Sequence, residues 1–269
     1  MLRLAVRVRL EDAELVLAEL LELAPSGVEE VALPEGVVEY AVYGAPGELP
    51  ALPDVQAAAG GALVEVSTSE IDDDWSERWR EFHRPLVLPA RLTVRPPWEP
   101  PGRTPIDLVI DPGQAFGTGA HATTRMCLEL MLALEPGGSF LDLGSGSGVL
   151  AIAAARLGFA PVLALDNDPA SVAATRTNAR ANRVEVDVRR HDLRTDPTPV
   201  AQTIAANLLG RLLTIWAERL DQPPERLIAS GVLVEEADGV ARAFAARGLL
   251  EFRRNRSGEW VALLFTRRP

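Results

Sequence analysis

The chain contains 269 residues, of which 47% are hydrophobic and 24% charged, a composition typical of a globular protein with room for two domains. Its single cysteine, Cys127, excludes an internal disulfide and a metal site built from several cysteines. All 27 basic residues are arginine, which excludes mechanisms that use a lysine. The sequence shows neither a signal-peptide pattern nor an apolar stretch of roughly 20 residues, so we expect a cytoplasmic protein without a membrane span.

The formal net charge of −11 is unevenly distributed along the chain. Residues 1–83 contain 18 acidic and 5 basic residues, a balance of −13, whereas residues 84–269 contain 20 acidic and 22 basic residues, a balance of +2. Such a difference is typical of separate modules. An acidic first module should repel nucleic acid and attract a basic partner. It is equally consistent with an acidic surface that only keeps a small domain in solution.

The first 70 residues show strand and helix patterns in alternation. Residues 2–10 alternate apolar side chains with arginines, as in a half-buried strand, and residues 11–23 have apolar side chains at helical spacing. Further predicted elements are strands over 28–33, 37–43 and 62–67 and a short helix over 54–59. This order predicts a small α+β domain over residues 1–70.

A short linker helix is predicted over residues 71–83. Three aspartates at 72–74 favour a helix start by capping and by the helix dipole. Trp75, Trp79 and Phe82 follow on one helical face, which we expect to pack on a neighbouring domain.

The second domain is predicted over residues 84–269, where strands and helices alternate. Strands are predicted over 92–95, 106–110, 140–143, 162–165, 184–188, 204–206 and 227–230, and helices over 149–157, 170–182, 208–219 and 235–247. This alternation indicates an α/β fold with a mostly parallel sheet covered on both faces. Strands over 250–254 and 260–266, joined by a turn over 255–259, predict an antiparallel C-terminal hairpin.

A glycine-rich turn, Gly144-Ser145-Gly146-Ser147-Gly148, follows the strand over 140–143. Its glycines allow close approach of a ligand, and the following helix start offers unpaired N–H groups. Val149 stands where the dinucleotide fingerprint requires glycine, which argues against NAD. Asp142 before the glycines suits a ligand with an ammonium group, and Asp166 at the end of the next strand suits ribose hydroxyls. S-adenosylmethionine carries both groups.

Several segments resemble the bacterial PrmA family, which methylates the eleventh protein of the large ribosomal subunit. They are residues 111–124 (DPGQAFGTGAHATT), 142–148, 166–169, 206–209, 230–233 and 258–261, together with the linker at 74–83. The resemblance covers residues 72–269, while the first 70 residues, where the family's substrate-recognition domain lies, match in length, acidity and element order. It implies a doubly wound, Rossmann-like class I methyltransferase sheet.

The resemblance also implies which residues contact the cofactor. Four matching positions contact S-adenosylmethionine: Thr124, Gly144, Asp166 and Asn207. Phe116 and Gly117 wall the pocket by analogy, and the glycine turn itself adds Gly146 and Asp142 to the predicted set. Asn207 faces the methionine end of the cofactor and the reaction centre, and we therefore predict it to be the catalytic residue.

Asn207 ends a predicted strand, a common functional position in parallel sheets. It is followed by Leu208-Leu209-Gly210, so the Asn-Pro-Pro-Tyr motif of adenine and glutamine-amide methylation is absent. His121 is either a general base or a hydrogen-bonded support of the 111–124 segment. An amine only has to be uncharged when it attacks, and desolvation lowers its pKa, so no dedicated base is needed. His191 and Asp192, after the third strand of the sheet, either contact adenine or form a plain loop.

The sequence therefore predicts an S-adenosylmethionine-dependent protein N-methyltransferase that acts on amino groups of a basic large-subunit ribosomal protein. Alternatives are a lysine methyltransferase of a different protein and a small-amine methyltransferase. A non-catalytic nucleotide-binding module is a different class, which the intact Asn207 and 111–124 segment argue against. We expect no metal and no direct contact with nucleic acid. The oligomeric state and the number of methyl groups added do not follow from the sequence.

Overall fold

The computed structural model describes residues 2–24, 28–44, 49–70, 84–88, 91–111 and 121–268. The chain divides into two compact units, Met1–Phe82 and His83–Pro269. The predicted linker helix over 71–83 lies outside the described residues, as do Phe116 and Gly117. Within the described ranges, no helix is long and apolar enough to cross a membrane.

The first unit is an antiparallel sheet of four strands with two helices. Its elements are β1 (Leu2–Arg9), α1 (Ala13–Leu23), β2 (Glu29–Leu33), β3 (Val37–Gly44), α2 (Leu52–Ala59) and β4 (Leu63–Glu70). The strand order is β2-β3-β1-β4. Alternate residues of β1, including Leu4 and Val6, are buried in one apolar core with Val16 and Leu20 of α1 and Val55 of α2. The period of two in β1 thus produces the half-buried strand that its sequence predicts.

The other face of this sheet carries ion pairs across three strands. The Glu39 carboxylate of β3 accepts hydrogen bonds from Arg3 and from Arg7 Nε, the latter at 2.7 Å, and Arg7 also pairs with Glu65 of β4. The hydrogen bond from Arg3 is the largest of the effects that lower the pKa of Glu39. Acidic side chains are also exposed on this unit, among them Glu11, Glu19, Glu30, Asp54 and Glu65.

The second unit is built on a sheet of seven strands in the order β10-β9-β8-β11-β12-β14-β13. The strands are β8 (Phe140–Leu143), β9 (Val162–Asp166), β10 (Asp187–Arg190), β11 (Thr203–Asn207), β12 (Arg226–Leu233), β13 (Leu249–Ser257) and β14 (Trp260–Arg267). The first five in this order pair in parallel, and β14 pairs antiparallel with β12 and β13. The doubly wound sheet and its antiparallel hairpin are therefore confirmed.

Helices cover both faces of this sheet. They are α3 (Ala122–Leu132), α4 (Val149–Leu157), α5 (Pro169–Ala181), α6 (Gly210–Arg219) and α7 (Ala237–Ala245). One apolar core joins α3, α4 and α5 to the sheet, and a second joins α6 and α7 to its opposite face. Neighbouring residues of β8 divide between them, since Phe140 lies in the first core and Leu141 in the second.

A smaller sheet contributes to the first of these cores. Its strands are β5 (Leu86–Leu88), β6 (Leu92–Arg95) and β7 (Ile106–Val109), with β6 antiparallel to β5 and parallel to β7. β5 is not predicted from the sequence. Three residues bounded by a proline-rich segment are too short for a periodic pattern to stand out.

The predicted strand over 184–188 is wrong in its position, because β10 begins only at Asp187. Arg183 has a left-handed φ of 54°, and Val184 N donates to Ala179 O at 3.2 Å. These two features close the end of α5, so the chain reaches the sheet edge later than its run of valines suggests.

Among the other boundaries that differ from the prediction, two have a visible cause. The helix expected from residue 208 begins at Gly210, because Leu208 N donates to Ser230 O of the neighbouring strand at 2.9 Å instead of entering the helix. The turn expected over 255–259 contains only two residues, 258 and 259, because Ser257 and Trp260 already pair across the hairpin.

Candidate active site

A crevice lies where the winding of the large sheet changes direction. The chain runs from β8 outward through β9 and β10 on one side, and from β11 to β12 on the other. Ligands of doubly wound folds bind at the carboxyl ends of the strands at such a point. Here a cavity of about 350 Å³ is lined by Leu143, Gly144, Gly146, Leu165, Asp166, Asn167, Ser171, His191, Asp192, Leu193, Arg194, Asn207, Leu208 and Leu212. Four residues of the predicted cofactor set are therefore brought together: Gly144, Gly146, Asp166 and Asn207.

The glycine turn is shaped by backbone conformations that favour glycine. Gly144 has a φ of 77° and Gly146 a φ of 52°. A Cβ at Gly144 would lie 2.4 Å from the side chain of Leu208. The missing side chain thus allows the turn after β8 to pack closely on the residue that follows Asn207.

The Asp166 carboxylate is fixed at the end of β9 by two backbone groups. Its Oδ2 accepts a hydrogen bond from Gly146 N at 2.8 Å, and its Oδ1 accepts one from Asp168 N at 3.0 Å. Burial raises the pKa of Asp166, and these two N–H groups oppose the rise. Each carboxylate oxygen can accept a second hydrogen bond, so the carboxylate can still bind a pair of ligand hydroxyls.

Asp142 lies beneath the glycine turn and not in the cavity wall. Its side chain is fully buried, and its Oδ2 accepts a hydrogen bond from Ala151 N of α4 at 3.0 Å. Burial raises the pKa of Asp142 to about 7. This bond joins the end of β8 to the first turn of α4. In the part of the chain that the structure describes, the Oδ1 of Asp142 has no hydrogen-bond partner, so the contact of this carboxylate with a ligand ammonium group stays a prediction.

Asn207 and Thr124 are in direct contact. Asn207 ends β11 and donates through Nδ2 to Thr124 Oγ1 at 3.3 Å. Thr124 lies in the first turn of α3 and is 1% exposed. The threonine hydroxyl thus holds the asparagine amide in place at the edge of the cavity.

The bulge at Ser230 and Gly231 in β12 supports both partners of this contact. Ser230 Oγ is buried and donates to Thr123 O at 3.3 Å, next to Thr124. Gly231 has a φ of 80°, and a Cβ there would lie 2.6 Å from Leu208 O. The pairing of β12 with β14 shifts at this point. The strand predicted over 227–230 ends before Gly231, so the bulge does not follow from the sequence pattern, whereas β12 continues through Gly231 to Leu233.

His121 caps helix α3. Its Nδ1 accepts a hydrogen bond from Thr123 N at 3.4 Å and lies 2.8 Å from Thr123 Oγ1. Its ring packs edge-on against Trp260, with centroids 5.3 Å apart. Burial lowers the pKa of His121, which favours the neutral ring. Of the two interpretations of His121, this geometry favours the hydrogen-bonded support, which it provides at the start of α3.

His191 and Asp192 follow β10 and line the cavity. Among the described residues, buried His191 Nε2 has no hydrogen-bond partner. Burial lowers the pKa of His191, against the smaller opposing effects of Asp196 and Asp192. A neutral ring nitrogen without a partner at the cavity wall can bond a polar ligand group.

The cavity has the chemistry that S-adenosylmethionine requires. Leucine side chains form apolar walls, Asp166 offers a carboxylate for the ribose, and Asn207 offers an amide from a neighbouring strand. The volume of about 350 Å³ lies within the usual range for small-molecule sites. The residues present therefore fit the cofactor.

The sequence matches the model of the PrmA family, described as ribosomal protein L11 methyltransferase, over residues 48–268. A ribosomal protein L11 methyltransferase of Chloroflexus aurantiacus is 42% identical over 231 residues, covering 74% of this chain and 70% of its own length. That of Pelotomaculum thermopropionicum is 37% identical over 255 residues, covering 87% and 83%. The crystal structure of the ribosomal protein L11 methylase of Lactobacillus delbrueckii subsp. bulgaricus matches with a TM-score of 0.61 at 28% identity, covering 70% of this chain and 100% of that one.

Proposed function

Because the chain belongs to the PrmA family of ribosomal protein L11 methyltransferases, we propose that it methylates amino groups of ribosomal protein L11. The chain is an S-adenosylmethionine-dependent methyltransferase with the doubly wound fold of that class. The observation that carries the proposal is the cavity at the ends of β8, β9, β10 and β11, which brings the glycine turn, Asp166 and Asn207 together.

In this proposal different residues of the cavity bind different parts of the cofactor. Asp166 accepts hydrogen bonds from the ribose hydroxyls, and His191 Nε2 offers its unpaired nitrogen to the adenine. Gly144 and Gly146 let the backbone approach the methionine part closely. Asn207 holds the methionine end and the incoming amine, with its amide oriented by Thr124.

The bound cofactor supplies an electrophilic methyl group on a positively charged sulfur. Held by Gly144, Gly146, Asp166 and Asn207, S-adenosylmethionine would give this methyl group to the lone pair of the substrate nitrogen, and the electron pair of the broken C–S bond would stay on S-adenosylhomocysteine. The amine loses its proton to solvent before it attacks, since burial in the cavity lowers its pKa and no dedicated base is then needed. The protein thus contributes mainly positioning and exclusion of water.

The acidic first unit is the proposed recognition module. Its exposed carboxylates suit a basic substrate and disfavour direct contact with nucleic acid. The enzyme would bind ribosomal protein L11 in the cytoplasm, which is the location that we propose for it.

Mass spectrometry of large-subunit ribosomal proteins tests the proposal. In a strain that lacks this gene, L11 should lose its methyl groups. The intact gene should restore them, whereas a gene with Asn207→Ala should not. Unchanged L11 methylation in the deletion strain would contradict the proposal. Loss of methyl groups from another protein, or from a small amine, would instead support one of the alternative substrates.

A further inference from the structure

Two buried asparagines of the second unit lie one helical turn apart, on one face at the end of α5. Asn178 and Asn182 are each 2% exposed, and neither lines the cavity. A buried amide must satisfy both its donor and acceptor groups, so the partners of these two side chains indicate what they do.

Each asparagine pairs with both backbone groups of one residue at the end of β7. Asn182 accepts from Val109 N at 2.9 Å and donates to Val109 O at 2.6 Å. Asn178 accepts from Asp111 N at 3.0 Å and donates to Asp111 O at 3.2 Å. The two side chains thus take the place of a neighbouring strand along this edge.

The remaining bonds distinguish the two asparagines. Asn178 Nδ2 also donates to Ser147 O, in the glycine turn, at 2.9 Å. Asn182 Nδ2 instead donates to Asn178 O, within the helix, at 2.8 Å. Of these two asparagines, Asn178 is therefore the one that connects the glycine turn to Asp111, the first residue of the 111–124 segment.

A second residue of the same helix binds the glycine turn. Thr175, one turn before Asn178, donates through Oγ1 to Gly146 O at 2.9 Å. Consecutive carbonyls of the turn, at residues 146 and 147, are thus both bonded to α5 side chains. Backbone bonds of Gly144, Ser145 and Gly148 fold the turn, and the two α5 side chains attach its carbonyls to the helix.

We propose that Asn178 is a positioning residue of the cofactor site, which fixes the glycine turn relative to the start of the 111–124 segment. The proposal rests on the binding of S-adenosylmethionine at the glycine turn. Without the Asn178 amide, the bond to Ser147 O and the bonds to Asp111 are both lost, so the turn is no longer attached to Asp111 through α5. Affinity for the cofactor then falls, because the binding conformation is only partly populated.

Asn182→Ala is the matched control for Asn178→Ala. Each substitution removes the side-chain bonds to the N–H and C=O of one residue, Val109 or Asp111, so each should lower the melting temperature to a comparable extent. Of the two variants, Asn178→Ala also removes the bond to Ser147 O in the glycine turn. The difference between the two variants therefore measures the positioning effect and not the general loss of stability.

The experiment is calorimetric titration of S-adenosylhomocysteine into the full-length variants, at a temperature where circular dichroism shows each to be folded. We expect Asn178→Ala to raise the Kd about tenfold, or roughly 1.4 kcal/mol, and Asn182→Ala to leave it within about twofold. Equal Kd changes in the two variants, or an unchanged Kd in Asn178→Ala, would overturn the proposal.

Two additions keep the result decisive. If Asn178→Ala does not fold, Asn178→Asp replaces it, with Asn182→Asp as control, because Asp keeps the acceptor and loses the amide donors. Asp166→Ala tests the cofactor placement separately. An unchanged Kd in Asp166→Ala would reject binding at the glycine turn, whereas a raised Kd there with no effect at Asn178 would reject only the positioning role.

Discussion

At the scale of single residues, Asn207 links the fold to the proposed chemistry, because it ends β11 and lines the cavity. If its amide orients the reacting groups, Asn207→Ala should lower kcat about 100-fold while the Kd for S-adenosylhomocysteine changes only a few-fold. Steady-state methylation of L11 and calorimetry measure the two quantities. A kcat equal to that of the parent enzyme would make Asn207 structural.

Asp142 gives the residue-scale prediction for pH. Its folded-state pKa is raised from 3.8 to about 7, so the folded protein keeps a proton that the unfolded chain has lost between these values. The contribution of Asp142 to stability is therefore highest below pH 4 and falls as pH rises toward 7, by up to about 4 kcal/mol at about 1.4 kcal/mol per pKa unit.

Urea unfolding of the parent and of Asp142→Asn, from pH 4.5 to pH 8, tests this assignment. The amide of the variant has nearly the same shape and can still accept the hydrogen bond from Ala151 N, but it does not titrate. The stability of the variant should therefore rise relative to that of the parent as pH increases. Parallel pH profiles of the two proteins would show that Asp142 is not protonated in the folded state.

At the scale of elements, the β12 bulge predicts a specific loss of turnover. Gly231→Ala adds a Cβ that would lie 2.6 Å from Leu208 O at a φ of 80°. Leu208 must shift, and Asn207 with it, so kcat should fall more than tenfold. Gly248→Ala is the control, because Gly248 has a φ of 79° with nothing within 4 Å of the added Cβ. It should lose stability through backbone strain and keep its kcat. Equal kcat losses would contradict the positioning role of the bulge.

The elements that the sequence predicts well are those defined by local pattern. β8, the glycine turn and α4 are contiguous, and their apolar periods and glycines identify them together. The bulge and the two asparagines act through partners far away in the chain, since Ser230 and Thr123 are 107 residues apart and Asn182 and Val109 are 73 apart. A single sequence gives no sign of such pairs. The burial of Asp142 is likewise not predictable from the sequence, because it depends on how α4 packs over β8.

At the scale of the whole molecule, the charge difference between the two units predicts a salt effect. If the acidic first unit attracts basic L11, kcat/KM for L11 should fall as salt concentration rises, while the Kd for S-adenosylhomocysteine stays constant.

The fragment His83–Pro269 contains the cavity and should bind S-adenosylhomocysteine with the affinity of the full chain, yet methylate L11 poorly. Full activity of this fragment would reject recognition by the first unit.

The most direct test combines purified full-length chain, S-adenosylmethionine and purified L11, followed by mass spectrometry of intact and digested L11. The proposed function predicts mass increases of whole methyl groups on L11 amino groups, at a rate that Asn207→Ala strongly reduces. L11 that stays unmodified, with enzyme that binds S-adenosylhomocysteine normally, would contradict the proposed substrate.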